Sequence, residues 1–381
     1  MTQQNYDVAV IGGGLHGLCS ALHLARAGKR VLVLERHWTG RHASGATAAG
    51  VRTLNRDRRE LDLSLLSMEL WPQLYDIVGD DCGFHAGGQI CVAEDETAME
   101  RLRSRVEALQ RDGYTHEELI DQDELRRWLP KISPHCVGAS LARDNGAADP
   151  HRALSAFRRS VLKAGATLRE QCGVENIERR GQDWLLHTNQ GQWTVPMIVN
   201  AAGAWSARIA AMVGDHIPLG TKSSMMMVSE RTEHFIKPVV SILGRSLSFK
   251  QSDQGTLVIG GGLQGVPDLD KETSTARMRV LAKGARAACD LFPEVQDLRI
   301  VRVWAGLEAA TKDLLPIIGP SPNAPGVYHA FGFSGHGFQL VPIVGLVIKE
   351  LIVDGGTDKP IDELGASRLM NKPEVEKVTP Q

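Results

Sequence analysis

The residues best placed to do chemistry near the start of the chain are glycines. Gly12, Gly14 and Gly17 have the spacing G-x-G-x-x-G directly after the run Tyr-Asp-Val-Ala-Val-Ile at 6–11. In that frame the first glycine allows a tight strand-to-helix turn, the second lets backbone approach a pyrophosphate, and the third allows close helix–strand packing. Leu15 and His16 then open a helix whose free N–H groups and positive dipole end favour phosphate. Glu35 lies 18 residues beyond Gly17, at the end of a second apolar run. A carboxylate there accepts both ribose hydroxyls and argues against NADP; Arg36 follows it. The expected ligand is a dinucleotide. The letters alone carry little, because 39 glycines produce chance matches. Gly260-Gly261-Gly262-Leu263-Gln264-Gly265 repeats the spacing, but Val-Pro-Asp-Leu-Asp-Lys follows and cannot be a helix packed on a sheet. That second match reads as a strand end and loop.

The elements that must position these residues follow from the apolar spacing. Residues 6–11 and 30–35 are β-branched, apolar strands suited to burial on both faces. Residues 15–28 between them have helical spacing and end at Gly28, completing a βαβ unit. Helical patterns recur over 56–80, 94–112, 121–129, 151–164 (opened by Asp149-Pro150) and 270–291. Short strands fill 166–199, and 217–263 is strand-rich. No Pro/Gly linker separates two sequential domains. The expected fold is α/β plus α+β: a Rossmann-type dinucleotide-binding domain from 1–80, 140–215 and 300–365, interleaved with a smaller antiparallel-sheet substrate domain from 81–139 and 216–299.

Composition removes several classes of function. With 43 basic against 45 acidic side chains there is no field to attract nucleic acid. The six cysteines are scattered without a CxxC pair, which argues against a zinc or iron–sulfur site held by this chain, so no metal is expected. Residues 1–7 have no signal-peptide character, and no stretch reaches 18 uninterrupted apolar residues. A soluble, cytoplasmic protein with no membrane span is expected.

Three further segments decide which dinucleotide. Arg41-His42-Ala43-Ser44-Gly45-Ala46-Thr47-Ala48-Ala49-Gly50 follows the second strand. Val199-Asn200-Ala201-Ala202-Gly203-Ala204-Trp205 forms a turn near the middle. Trp304-Ala305-Gly306, then Gly332-Phe333-Ser334-Gly335-His336-Gly337-Phe338, lie near the end. Together these segments resemble the D-amino-acid oxidase superfamily, above all its sarcosine oxidase-like branch with the opine oxidase and hydroxyproline dehydrogenase β-subunits. The resemblance runs from residue 6 to about 350. It implies a glutathione-reductase-like fold and FAD. Ser44, Ala48, Ala49 and Gly50 would lie along the flavin, Val174, Ala202, Gly203 and Trp205 near adenosine. Gly306, Gly332, Gly335, His336, Gly337 and Phe338 would lie at the flavin ring. A helix opening at Gly337 would then stabilise the negative charge of reduced flavin.

The same resemblance implies oxidation of the C–N bond of a D-, cyclic or N-substituted amino acid to an imine, by hydride transfer to flavin N5. Hydroxyproline, proline, sarcosine and opines are the substrate types. Several residues depart from the family pattern. Thr47 occupies the position of a flavin-linking histidine, and 298–312 holds no cysteine, so FAD is expected to be non-covalent. Pro150, with His151 beside it, occupies the position of a histidine that links a second flavin. Val258 replaces a lysine that promotes reaction with oxygen, which points to a dehydrogenase handing electrons to a quinone, carrier or partner subunit. Gln339 replaces a carboxylate-binding lysine; its amide can still donate to the substrate carboxylate, though less strongly than a charged group, and Arg52 is the main candidate for it. Glu308 could meet a cationic part of the substrate. His336 is a flavin neighbour; Lys250, His16 and His42 are weaker candidates, and Met225–Met227 a buried strand or pocket lining. Homo- or hetero-oligomers are compatible with this reading. The alternative is the flavin subunit of an amine or opine oxidase complex, inactive without its partners.

Overall fold

A computed structural model describes residues 5–370. The strand Val8–Ile11 lies inside a six-stranded sheet, with Val31–Leu34 and Thr167–Arg169 on one side. Met197–Asn200, Val327–Phe331 and Ile317–Pro320 lie on the other, and only the last joins antiparallel. Val8–Ile11 and Val31–Leu34 are buried along their whole length, as expected for strands covered on both faces. Val174–Arg180, Asp183–Thr188 and Gly191–Val195 form a three-stranded antiparallel sheet beyond them.

The second large sheet has eight strands, in the order Ile300–Ala310, Gly220–Arg231, Thr256–Gly260, Arg245–Gln251, Val239–Ile242, Gln89–Ala93, Gly138–Ala142 and Glu118–Asp121. All neighbours are antiparallel except Val239–Ile242 with Gln89–Ala93. The helix Met278–Leu291 covers one face through Leu281, Ala288 and Leu291. The two sheets are built from alternating stretches of chain, as the interleaved reading requires. The strand Ile300–Ala310, placed with the dinucleotide-binding segments on sequence, pairs instead with Gly220–Arg231 in this sheet. Residues 270–277 are not helical: Thr273–Thr275 pairs with Val266–Asp268 in a hairpin after the decoy glycines. Gly261 and Gly262 turn there with φ near +82° and +81°, a loop and not a second phosphate turn.

Two helices set the geometry of the site. Leu15–Arg26 ends where Gly28 adopts φ +83°, and Gly337–Lys349 is apolar on nearly every face and buried. They pack so closely that a Cβ on Gly345 would lie 2.3 Å from Cys19 Sγ. Near their starts, His16 stacks on Phe333 with ring centroids 3.6 Å apart. Both N-termini therefore open on the same space. A third helix, Arg58–Leu70, is capped by the Asp57 side chain on Arg59 N and packs behind Gly337–Lys349. Pro72 ends its α-helical run, and the segment closes at Gly79 with φ +70°.

Candidate active site

A cavity of about 470 Å³ runs between the two sheets and receives both helix N-termini. Every residue singled out on sequence for cofactor or substrate lines it, apart from Gly17, Gln339 and the weaker candidate Lys250.

At the first turn the glycines are demanded by space. Gly12 has φ +112°, and a Cβ there would lie 2.3 Å from Ala201 O. A Cβ on Gly17 would lie 2.0 Å from Gly12 O, so its role is packing behind the turn. Glu35 accepts from Gly13 N (2.7 Å) and His37 N (2.8 Å), which ties the end of the second strand to the glycine turn. Ser44 Oγ accepts from Leu15 N at 3.1 Å, bringing the 41–50 loop onto the helix N-terminus.

That loop is braced from far along the chain. Trp304 Nε1 donates to Ala46 O at 2.9 Å, and a Cβ on Gly306 would lie 2.5 Å from Ala46 Cβ. Ala49 holds φ 55°, with its N–H on Thr47 Oγ1 (3.0 Å). Ser334 also holds φ 55°. Left-handed, non-glycine residues cost free energy and persist where surrounding structure over-determines them. At the adenosine end Arg36 lies over Trp205, 4.5 Å from the ring centroid, and reaches Glu272 at 3.0 Å. Glu272 also pairs with His37, and Trp205 Nε1 donates to Leu269 O (3.3 Å), so the 266–275 hairpin closes over this end. His37, His42 and Glu272 bring ligand atoms within 4.8 Å of one another, but Glu272 is already paired with Arg36 and His37.

The other end contains a charged cluster behind the cavity wall. Asn145 Oδ1 accepts from Thr53 N (2.7 Å) and Leu54 N (3.0 Å), fixing the turn that carries Arg52. Arg52 Nη1 donates to Leu54 O at 2.5 Å. Its other guanidinium nitrogens have no protein partner among the described residues and are available to a ligand in the cavity. Burial lowers the guanidinium from its usual range, with Glu60 opposing the shift.

Arg56 is 1% exposed and links the cluster. Its Nε donates to Arg52 O (3.1 Å) and its Nη2 to His336 O (3.3 Å) and Gln339 Oε1 (3.4 Å). Burial and the charge of Arg52 push it down to about 9. Glu60, fully buried, lies 3.4 Å from Arg56 Nη1 and 2.9 Å from His336 Nδ1. Glu117 anchors the outer side through two bonds from Arg105 (2.7 and 2.8 Å) and one from Asn55 N. Burial would raise Glu117, but His116, Arg105 and Asn55 hold it at about 2. His336 lines the cavity; burial, then Arg56, lower its imidazole to about 4.

Gln339 is a correction. It is fully buried and its side chain faces the helix Arg58–Leu70, accepting from Ser64 Oγ (3.0 Å) and donating to Ser64 O (2.8 Å). It is absent from the cavity wall, so the expected contact with a substrate carboxylate is not made. Glu308 does face the cavity and accepts from Ser224 Oγ at 2.5 Å. Lys222, its cross-strand neighbour, donates to Ser334 O (3.1 Å). The sequence reading missed Lys222, Arg56, Glu60 and Gln89 as parts of this site. Only the i, i+4 spacing of Arg56 and Glu60 offered a signal.

The cradle fits a dinucleotide at one end and a flat, partly anionic ring at the other. Glycines with no room for a Cβ surround the turn at the first helix start, and the second helix start faces the ring end. The chain belongs to the FAD dependent oxidoreductase family. The family pattern matches residues 7–351. The B subunit of opine oxidase from Rhizobium meliloti is 26% identical over 374 residues, covering 95% of this chain and 97% of that protein. Glycine oxidase of Bacillus subtilis (strain 168) is 26% identical over 383 residues, covering 98% of this chain and 100% of that one. Among solved structures, L-proline dehydrogenase from P. horikoshii superposes with a TM-score of 0.89 at 27% identity, covering 96% of this chain and 98% of that one. This flavoenzyme therefore uses FAD, and it has the D-amino-acid oxidase fold. Among the described residues no helix is long and apolar enough to cross a membrane.

Proposed function

We propose that this flavoenzyme oxidises the C–N bond of an amino acid of the sarcosine, proline, hydroxyproline or opine type to the imine. Electrons would pass on to a carrier or partner and only slowly to oxygen. The observation that carries the reading is Arg52, a half-buried guanidinium with free donors toward the cavity, held beside His336 at the helix start. A carboxylate is the natural partner of such a fork. Bound FAD supplies the hydride acceptor. Arg52 binds and orients the carboxylate, and Glu308 with Ser224 offers polar contacts on the opposite wall. The names of relatives matched along nearly their whole length support the substrate class: opine oxidase, glycine oxidase and sarcosine oxidase. FAD is held without a covalent bond in this reading, since Thr47 lines the cavity where a linking side chain would be needed.

The opine oxidase relative, and a sarcosine oxidase relative from Rhodobacter capsulatus, are each named as one subunit of their enzyme, which favours a second reading in which this chain needs partners for turnover. Anaerobic mixing of the purified yellow protein with a panel of N-alkyl, cyclic and D-amino acids separates the two. Bleaching by one of them supports the first reading. Bleaching only after partner subunits are added supports the second, and no bleaching in either case rejects both.

A further inference from the structure

Glu60 lies on the first turn of the helix Arg58–Leu70, fully buried and behind the cavity wall. A buried carboxylate is costly unless it is paired. Its Oε1 faces Arg56 Nη1 (3.4 Å) and His336 Nδ1 (2.9 Å, off the line of a straight N–H bond), while Oε2 has no partner among the described residues. Burial alone would raise Glu60, but His336, Arg56 and Arg52 hold it below the usual carboxylate range. It is therefore ionised and can only accept. The carboxylate 2.9 Å away favours the hydrogen of a neutral His336 on Nδ1, leaving a bare lone pair on Nε2. The only ion pair of the ring among the described residues is made at Nδ1, and His336 lines the cavity beside Arg52. Arg56 bonds the carbonyls of both Arg52 and His336, which fixes the spacing between the carboxylate donor and this acceptor.

We propose that Glu60 is a positioning residue that sets the tautomer of His336, so that His336 Nε2 receives the N–H of the substrate amine. The proposal rests on the amino-acid reading above. The groups facing His336 are Glu60, Arg56 and Asp57 from behind, Arg52 beside it, Glu308 and Lys222 across the Ser334–Gly335 turn, and His16 beyond Gly337. Of the carboxylates facing this region, Glu60 is engaged by Arg56 and His336 and Glu308 accepts from Ser224, so a neutral acceptor flanked by the cations Arg52 and Arg56 is a poor place for an ammonium. On binding, the ammonium R2NH2+ releases one proton to water, and the neutral amine R2NH donates its remaining N–H to Nε2. A primary or secondary amine can do this. A tertiary amine, once neutral, has no N–H to give, so the site selects against it.

The test uses the FAD-loaded protein and the best secondary amino acid from the panel, alongside its N-methyl derivative. Wild type should prefer the secondary amine by about 100-fold or more in kcat/KM, and its affinity should rise about tenfold per pH unit below the amine pKa. Glu60→Gln lets an amide donate to Nδ1 and frees the other tautomer. It should raise KM about tenfold, with a smaller change in kcat, and shrink the preference. His336→Phe should abolish the preference, and His336→Gln, which keeps an acceptor, should restore part of it. Calorimetry with a non-oxidisable secondary amino acid in buffers of different ionisation enthalpy should show about one proton released near neutral pH, fewer in Glu60→Gln. A uniform fall in kcat at every pH with the preference intact would make Glu60 merely structural and overturn the proposal. If Glu60→Gln does not fold, the His336→Phe and His336→Gln pair decides by the same criterion. A wild-type protein reduced by no amino acid rejects the functional reading as well, whereas one reduced equally by both amines rejects only this inference.

Discussion

Lys250 stands directly opposite Val258 in the antiparallel pairing of Arg245–Gln251 with Thr256–Gly260, yet its ammonium is turned to Ala148 O at 3.4 Å. Both residues share a sheet face with Ser248 and Met226, which line the cavity, because side chains two apart on a strand point the same way. Burial lowers Lys250 to about 8. The amine nearest the missing family lysine is thus close but directed elsewhere. Val258→Lys is expected to speed air reoxidation of the reduced protein about tenfold or more, and Lys250→Met to change it less than about twofold, as stopped-flow absorbance will show. A marked slowing in Lys250→Met would reverse the dehydrogenase reading.

The glycine turn makes a prediction about the cofactor. Gly17→Val must push a side chain into the Gly12 carbonyl, 2.0 Å from where its Cβ would lie. The variant should purify without flavin, while acid precipitation of wild type should release all of its yellow colour. Colour remaining on the precipitated chain would mean a covalent link.

Arg52→Met removes the free guanidinium donors while keeping much of the apolar stem. KM for the carboxylate substrate should rise about 100-fold, since a charged bidentate partner is worth roughly 2–3 kcal/mol. Steady-state kinetics with the substrate and with its decarboxylated amine will check this. Equal losses for both compounds would exclude a carboxylate contact.

Arg56→Met leaves Glu60 without its cation and strips bonds from the Arg52 and His336 carbonyls. Breaking a buried pair in this way typically costs about 3–5 kcal/mol. Urea unfolding of the FAD-free protein should show that loss, and a change under 1 kcal/mol, roughly the value of an exposed pair, would mean the cluster adds little stability.

Four histidines resist protonation in the native state: burial lowers His16 to about 3 and, as the largest cause, His23, His42 and His336 to about 4. In the unfolded chain each titrates near 6.5. Between those values the unfolded state binds protons that the native state refuses, so stability present above about pH 6.5 falls as the pH drops toward 4. Below that, protonation of Glu117 removes more. Thermal unfolding from pH 7.5 to 4.5 should show a steadily falling midpoint, and a flat profile would contradict the buried neutral imidazoles.

Much of the site was legible before the fold was known, because its demands are local. A left-handed Gly12 or a Gly17 with no room for a Cβ leaves its mark in the residue type itself. The Asp149-Pro150 cap likewise marks a helix start that the structure contains. Trp304 was legible only as part of a motif; that it braces Ala46, 258 residues earlier, needed the two sheets brought together.

The amino-acid sequence by itself determined the glycine turn after the first strand, since backbone conformation and close approach restrict those positions to glycine, and through the family resemblance it pointed to the 41–50 loop and the helix start at Gly337. Tertiary packing decided which way side chains beyond them face. Gln339 is two residues past Gly337, and at about 100° per residue that rotation carries it onto Ser64 and away from the cavity. The same packing set Glu60 behind His336 and turned Lys250 to Ala148. No spacing along the chain encodes the rotation of one helix against another, and that rotation separates a ligand-facing group from a buried support.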